Sequence, residues 1–144
     1  MVDKLKEEPE CYIMGLNLLS YFHWFRGEYE KGFNLIFESL RNPNNTSLYN
    51  VAWNYFALAV FYFDTKDYDN SRINYQKAYD LFVKANYPYG LARAANGLAT
   101  VAIYQNRFAD AEPLLQYAVE YLANLRRHPL RFERFPAPGM FQWN

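Results

Sequence analysis

Cysteine and histidine are scarce in this sequence. Cys11 is the only cysteine among 144 residues, and His23 and His128 are the only histidines. A single cysteine excludes a disulfide within the chain and leaves no cysteine pair for a zinc site. The sequence also lacks a Gly-rich phosphate-binding loop, an HExxH motif and a GxSxG motif. We therefore expect no enzymatic activity, no metal and no other cofactor, and the cysteine usage fits a reducing, cytoplasmic compartment.

Net charge of one sign and long apolar runs are lacking as well. Fifteen Lys and Arg residues balance fifteen Asp and Glu residues, whereas nucleic-acid-binding proteins usually carry a basic surplus that pairs with phosphates. The longest apolar run, residues 51–63, is interrupted by Asn54 and is shorter than the roughly twenty residues of a membrane span. Residues 1–10 mix Lys with Asp and Glu and have no apolar segment typical of a secretory signal. We expect neither nucleic acid nor a membrane as a partner.

Aromatic residues are abundant instead. Fourteen Tyr, twelve Phe and three Trp make up 20% of the chain, while 51% of all residues are hydrophobic and 21% are charged. Such a composition is typical of a folded domain and not of a disordered chain. The ring area exceeds what a small core needs, so we expect part of it to be displayed or covered by a partner.

The sequence contains an internal repeat with offsets of 39 and 40 residues. An aromatic residue is followed by a small residue three later, a bulky residue four later and a small residue three later, in three places: Tyr29, Gly32, Ile36, Ser39; Tyr68, Ser71, Tyr75, Ala78; and Phe108, Ala111, Leu115, Ala118. Upstream of each lies a second stripe with the i, i+3, i+4, i+7 spacing of one helix face: Leu16, Leu19, Ser20, His23; Tyr55, Leu58, Ala59, Tyr62; and Ala95, Leu98, Ala99, Ala102.

Short polar turns separate the two stripes of each unit, and Asp67 and Asn106 are predicted N-caps of the second helices. The pattern predicts an all-α fold of three helix hairpins, with helices at roughly 12–25, 29–41, 47–64, 68–84, 89–105 and 107–125. These form a predicted repeat domain over residues 1–125, with units at about 12–41, 47–84 and 89–125. A tail rich in Pro, Arg and aromatic residues follows at 126–144.

This pattern of small, large and aromatic positions resembles the tetratricopeptide repeat. Leu98 and Ala99 match the family's Leu-Gly/Ala pair, and Phe108, Ala111 and Ala118 match its second-helix positions. The third unit resembles the long-period subclass of kinesin light chains and of the sensor halves of bacterial regulators. The resemblance covers roughly residues 12–125. It implies a right-handed α-solenoid that binds a peptide or protein segment in a concave groove lined by the first helices.

The resemblance implies a groove built from the first-helix face opposite the packing stripe. It consists of Asn17, Tyr21, Trp24, Trp53, Phe56, Val60, Phe63, Arg93, Asn96 and Thr100, with Met14 and Ile103 on the same face. Aromatic rings there would hold apolar side chains, while Asn and Arg would bind a peptide main chain or a carboxylate. The alternative interpretation is that these residues form ordinary interior between adjacent repeats.

A second hypothesis is that the chain is a homodimeric structural or sensor module, or a fragment of a larger signalling protein. The dimer would form through the apolar groove face or through the tail. Residues 126–144 contain three prolines and four arginines among aromatic residues, which fits either an extended arm that docks on a groove or a frayed terminus.

Overall fold

Six helices make up the part of the protein that the structure, a computed structural model, describes: residues 9–127. They are α1 (Pro9–Phe25), α2 (Tyr29–Arg41), α3 (Leu48–Asp64), α4 (Tyr68–Lys84), α5 (Pro88–Tyr104) and α6 (Phe108–Arg127). No strand occurs between residues 9 and 127, so the predicted all-α class is confirmed. The predicted tail lies outside the described residues, except that its first two residues continue α6.

The helix ends agree with the prediction to within three residues, and capping explains where α3 and α5 begin. Pro88 begins α5, because a proline has the backbone angle of a first helical residue and needs no amide donor there. Ser47 precedes α3 as its N-cap, and its hydroxyl accepts a hydrogen bond from the backbone N–H of Asn50 at 3.4 Å.

The helices stack in chain order, as the repeat predicts. Each helix packs against the next one along the chain, and α3 also contacts both α1 and α5. The first helices α1, α3 and α5 therefore form one layer, which we call the first-helix layer. The confirmed solenoid of helix hairpins follows from this arrangement.

The small residues of the repeat lie at tight contacts between helices. All six are buried: Gly32, Ser39, Ser71, Ala78, Ala111 and Ala118. Ser71 donates a hydrogen bond from Oγ to the carbonyl oxygen of Ala59 at 2.7 Å. At the equivalent place in the first unit, a Cβ on Gly32 would lie 3.2 Å from the carbonyl oxygen of Ser20. A larger side chain at these positions would separate the helices.

One turn geometry ends every first helix. Gly27, Lys66 and Asn106 adopt left-handed backbone angles, with φ of 77°, 64° and 59°. The next residue then donates its N–H five residues back, for example from Asp67 to the carbonyl of Tyr62 at 2.9 Å. Asp67 caps α4 as predicted, through its side chain and the N–H of Asn70. The prediction for Asn106 was wrong, because it supplies the left-handed turn residue one position earlier than the N-cap.

Aromatic rings of α4 press directly on the backbone of α5. A Cβ added to Gly90 would overlap the ring of Phe82, and one added to Gly97 would overlap the ring of Tyr75. The two glycines are seven residues apart on α5, and the two aromatic residues are seven residues apart on α4. The same contact therefore occurs twice, two helical turns apart. Phe82 and Tyr75 are buried by this contact, and it joins the second unit to the third.

Replacing Gly97 by Ala should destabilise the protein, although Ala is the better helix former by about 0.8–1 kcal/mol. The new methyl group collides with the buried Tyr75 ring, and such overpacking typically costs about 1–3 kcal/mol. Gly15→Ala is the matched control, because nothing lies within 4 Å of its added Cβ, and it should raise the free energy of unfolding. Urea denaturation of both variants measures the difference. A stabilised Gly97→Ala variant would contradict this close contact.

Candidate functional site

Arg93 projects from α5 between two aromatic rings. Its guanidinium carbon lies 5.4 Å from the ring centre of Phe56 on α3 and 5.8 Å from that of Tyr89. Nη1 donates a hydrogen bond to the Tyr89 hydroxyl at 3.0 Å. These contacts fix an exposed cation on the first-helix layer, and a guanidinium has further N–H donors that suit a carboxylate or carbonyl oxygen.

Trp53 lies beside this arginine in the centre of an aromatic group. Its ring centroid is 5.1 Å from that of Phe56, 6.2 Å from that of Tyr49 and 6.3 Å from that of Tyr89. Trp53 is half-buried, while Tyr49 and Tyr89 expose 37% and 41% of their surface. We call Tyr49, Trp53, Tyr89 and Arg93 the Trp53 patch. It combines apolar ring surface with one fixed positive charge.

A small pocket continues the Trp53 patch towards α1. It has a volume of about 190 Å³ and lies between the N-terminal halves of α1 and α3. Its lining is largely apolar and consists of Ile13, Met14, Asn17, Leu18, Tyr49, Asn50, Trp53 and Asn54. Tyr49 and Trp53 belong to both, so the patch and the pocket form one continuous surface across α1, α3 and α5.

Tyr21 and Tyr75 contribute neutral hydroxyl groups near Arg93. Burial raises the pKa of Tyr21 above its ordinary value, Tyr75 and Asp64 raise it further, and Arg93 opposes them. Burial likewise raises the pKa of Tyr75 to about 12, with Asp64 adding to the rise and Arg93 opposing it. Groups from α1, α3, α4 and α5 therefore share one electrostatic environment, in which both tyrosines stay protonated at neutral pH.

The structure buries two of the predicted groove residues. Trp24 is 4% exposed, its ring stacks on Phe61 with centroids 4.1 Å apart, and its indole N–H donates to Asp64 Oδ2 at 2.7 Å. Phe56 is 6% exposed and packs edge-on against Tyr75 at 5.3 Å. Both rings fill the space between neighbouring helices, so neither offers free surface to a partner in this conformation.

Four further predicted groove residues differ in their exposure and hydrogen bonding: Asn17, Val60, Asn96 and Thr100. Asn17 uses its amide within the chain, because Nδ2 donates to the carbonyl oxygen of Trp53 at 3.3 Å. Val60 is half-buried and packs against two groups of buried residues, one around Tyr75 and Phe82 and the other around Trp24 and Phe61. Asn96 is exposed, and its carbonyl oxygen accepts a hydrogen bond from the half-buried Thr100 at 2.8 Å. The structure thus brings Arg93 against Phe56 and Asn17 against Trp53, and Asn96 and Thr100 follow Arg93 by one and two turns on α5.

Phe63 belongs to a second aromatic group at the opposite end of the layer. Its ring lies 5.0 Å from Tyr104 and 5.5 Å from Tyr68. Tyr104 is 59% exposed. The sequence analysis missed Tyr104, as it missed Tyr49 and Tyr89. For the last two the signal was present, since each lies one helical turn before a predicted residue, Trp53 or Arg93.

Within residues 9–127, no group of three or more His, Cys, Asp and Glu side chains is arranged to hold a metal ion. His23 pairs with Glu28, and this hydrogen bond lowers the pKa of the Glu28 carboxyl.

None of the helices between residues 9 and 127 is both long and apolar enough to cross a membrane.

Stability should fall at alkaline pH because of the buried tyrosines. An unfolded tyrosine ionises near pH 10, whereas folded Tyr75 and Tyr87 have pKa values of about 12. Above pH 10 the unfolded chain therefore loses protons first, and the stabilisation is lost progressively as the pH rises towards 12. Urea midpoints measured from pH 9 to pH 11.5 should fall less steeply for Tyr75→Phe than for the wild type. Equal slopes would contradict the burial of this hydroxyl.

Comparison with known proteins agrees with the repeat architecture. The family model described as tetratricopeptide repeat matches residues 46–124, more than half of the chain, from just before α3 into α6. No curated protein matches the chain, and no solved structure matches it.

Proposed function

This chain belongs to the tetratricopeptide repeat family, whose repeats generally mediate protein–protein interaction, and we propose that it is a non-enzymatic scaffold that binds a peptide or protein segment along its first-helix layer. The observation that carries the proposal is the Trp53 patch. There, Arg93 is held by Tyr89 and Phe56 next to the half-buried Trp53.

Recognition in such a groove depends on groups that are ordered before the partner arrives. Arg93 is already fixed by its aromatic neighbours, so less side-chain entropy is lost when it pairs with a carboxylate or a main-chain carbonyl. Trp and Tyr supply much contact area with few rotatable bonds. The partner that fits is a segment with an apolar or aromatic side chain next to an acidic group.

The two aromatic groups on α3 indicate the length of the bound segment. Trp53 and Phe63 are ten residues apart on one helix, which corresponds to about 15 Å. An extended peptide advances about 3.3 Å per residue, so about five residues bridge this distance. We propose that Trp53 and Phe63, with Tyr104, bind two apolar side chains of one segment, while Asn96 and Thr100 lie along its path.

The protein is proposed to work in the cytoplasm in a signalling role. The single cysteine, Cys11, forms no disulfide within the chain, which suits a reducing compartment. The third unit's resemblance to kinesin light chains and bacterial sensor repeats supports the signalling role.

Substitutions in the Trp53 patch should weaken binding of a peptide selected on the wild-type protein from a random displayed library. Arg93→Gln and Trp53→Ala should each lower the affinity at least about tenfold, as expected for residues at the centre of an interface. Fluorescence anisotropy of the labelled synthetic peptide measures this change.

Arg41→Gln is the matched control, because Arg41 is an exposed arginine at the end of α2, away from the first-helix layer. Circular dichroism checks that the variants are folded, and Arg93→Gln is the informative variant should Trp53→Ala unfold, because Arg93 is exposed. If Arg93→Gln binds the selected peptide as well as Arg41→Gln does, the groove assignment is wrong.

A second candidate function is the homodimeric module, and the outer face of α1 favours it. Cys11, Met14, Leu18, Phe22 and Phe25 lie on one side of this helix, opposite its buried residues, and all five are exposed. Leu18 exposes 70% and Phe25 83% of its surface. An apolar stripe of this extent is typical of an interaction surface, and a second copy of the chain presents the same stripe.

Light scattering over a concentration series tests the dimer. The wild-type chain should show a mass that rises towards twice the monomer mass, and Leu18→Glu combined with Phe25→Glu should remain monomeric because both substitutions put like charges into the contact. Lys31→Glu on the exposed surface of α2 is the control. A wild-type monomer at every concentration would exclude this candidate and leave the peptide-binding scaffold untouched.

A further inference from the structure

The outer face of α6 is apolar and exposed. Phe108, Val119 and Leu122 expose 61%, 66% and 55% of their surface, and Ile103 of α5 beside them exposes 40%. A surface pocket of about 790 Å³ lies on this face. It is lined by Ile103, Phe108, Ala111, Glu112, Leu115, Gln116, Val119 and Glu120. This face borders the first-helix layer only at Ile103, does not include the Trp53 patch, and does not depend on the proposed function.

The repeat shows that this face corresponds to a packing surface. Leu115, Val119 and Leu122 lie forty residues after Tyr75, Tyr79 and Phe82 of α4. Those three residues of α4 are 7%, 2% and 0% exposed, because α5 packs on that side of α4. Among the helices of residues 9–127, α6 packs against α5 alone. The same stripe is therefore buried in the second unit, whereas in the third Val119 and Leu122 are exposed and Leu115 is half-buried.

We propose that residues 128–144 of the same chain fold back and cover this face of α6. The segment follows α6 directly and has seventeen residues, which span about 50 Å when extended at about 3.1 Å per residue. The stripe from Leu122 back to Phe108 measures only about 21 Å along the helix axis. The segment is long enough to turn at the end of α6 and run antiparallel to the helix.

Composition and charge also favour this occupant. The segment supplies apolar side chains for the exposed stripe: Leu130, Phe132, Phe135, Met140 and Phe141. Glu112 and Glu120 lie exposed along one edge of the pocket, and the segment carries Arg131 and Arg134. Pairs of these opposite charges would fix the register of the segment. Prolines at 129, 136 and 138 disfavour a further helix, so the covering segment differs from another repeat.

A spin label on the tail of the full-length chain tests this proposal. Cys11→Ser removes the only cysteine, and Ala137→Cys carries the label without altering α1 to α6. The amide signals of Leu115 and Val119 should lose most of their intensity, whereas those of Leu18 and Phe25 on α1 should not. Arg131→Glu combined with Arg134→Glu should restore the lost intensity, while Lys77→Glu combined with Lys84→Glu, a matched pair of charge reversals on α4, should not.

A mixed sample distinguishes coverage of α6 by residues 128–144 of the same chain from coverage by the same segment of a second copy. Isotope-labelled chains without the spin label are combined with spin-labelled chains that carry no isotope, so that only contacts between molecules cause signal loss. Full intensity on α6 in this sample, with loss in the single-chain sample, supports coverage by the same chain. Loss in the mixed sample would overturn the proposal in favour of a second copy. Unchanged α6 signals in both samples would overturn it altogether.

Discussion

The contact between the rings of α4 and the glycine backbone of α5 determines where the rest of the candidate groove lies. Phe82 and Tyr75 occupy the space that side chains at Gly90 and Gly97 would need. Helix α5 can therefore approach closely enough for Tyr89 and Arg93 to reach Trp53 and Phe56 on α3. A wider separation would remove the support that fixes the arginine. The function proposed for the first-helix layer thus depends on Gly90 and Gly97, which are buried and lie outside the proposed binding surface.

The helices and the repeat were predictable because their signals are local. The repeat has a period of 39 to 40 residues. Its first small position reflects the contact inside one hairpin, because Ser71 bonds to the Ala59 carbonyl and Gly32 lies against the Ser20 carbonyl. The left-handed turns after α1, α3 and α5 follow the same period, although only the turn after α1 uses glycine. Such features depend on neighbours within about a dozen residues, so the sequence contains what is needed to find them.

Exposure within the first-helix layer was less predictable, because it depends on how units stack. Helix α3 has apolar residues on more than one face, and spacing alone does not tell which face meets a neighbouring helix. Trp24 became a core residue because Phe61 stacks on its ring and Asp64 accepts its N–H, both from another unit. Tyr49 and Tyr89 were missed because they precede the stripes that the repeat defines. Their exposure on the layer became visible only in the stacked units. Stacking between units also explains why α5 has glycine at positions 90 and 97. The rings that require these glycines belong to α4, so the sequence of α5 alone does not show the requirement.

The two ends of the described array present different surfaces, and their charges distinguish what can cover each. Between Cys11 and Phe25, α1 contains no Lys, Arg, Asp or Glu, so two copies can bring their stripes together without opposing like charges. On α6 the stripe is bordered by Glu112 and Glu120, and two such faces would bring acidic residues together at a cost in free energy. A segment with arginines removes that cost and covers the same apolar area. The charge pattern therefore favours pairing of copies at α1 and coverage by residues 128–144 at α6, and the Trp53 patch on α3 and α5 lies on neither of these two faces.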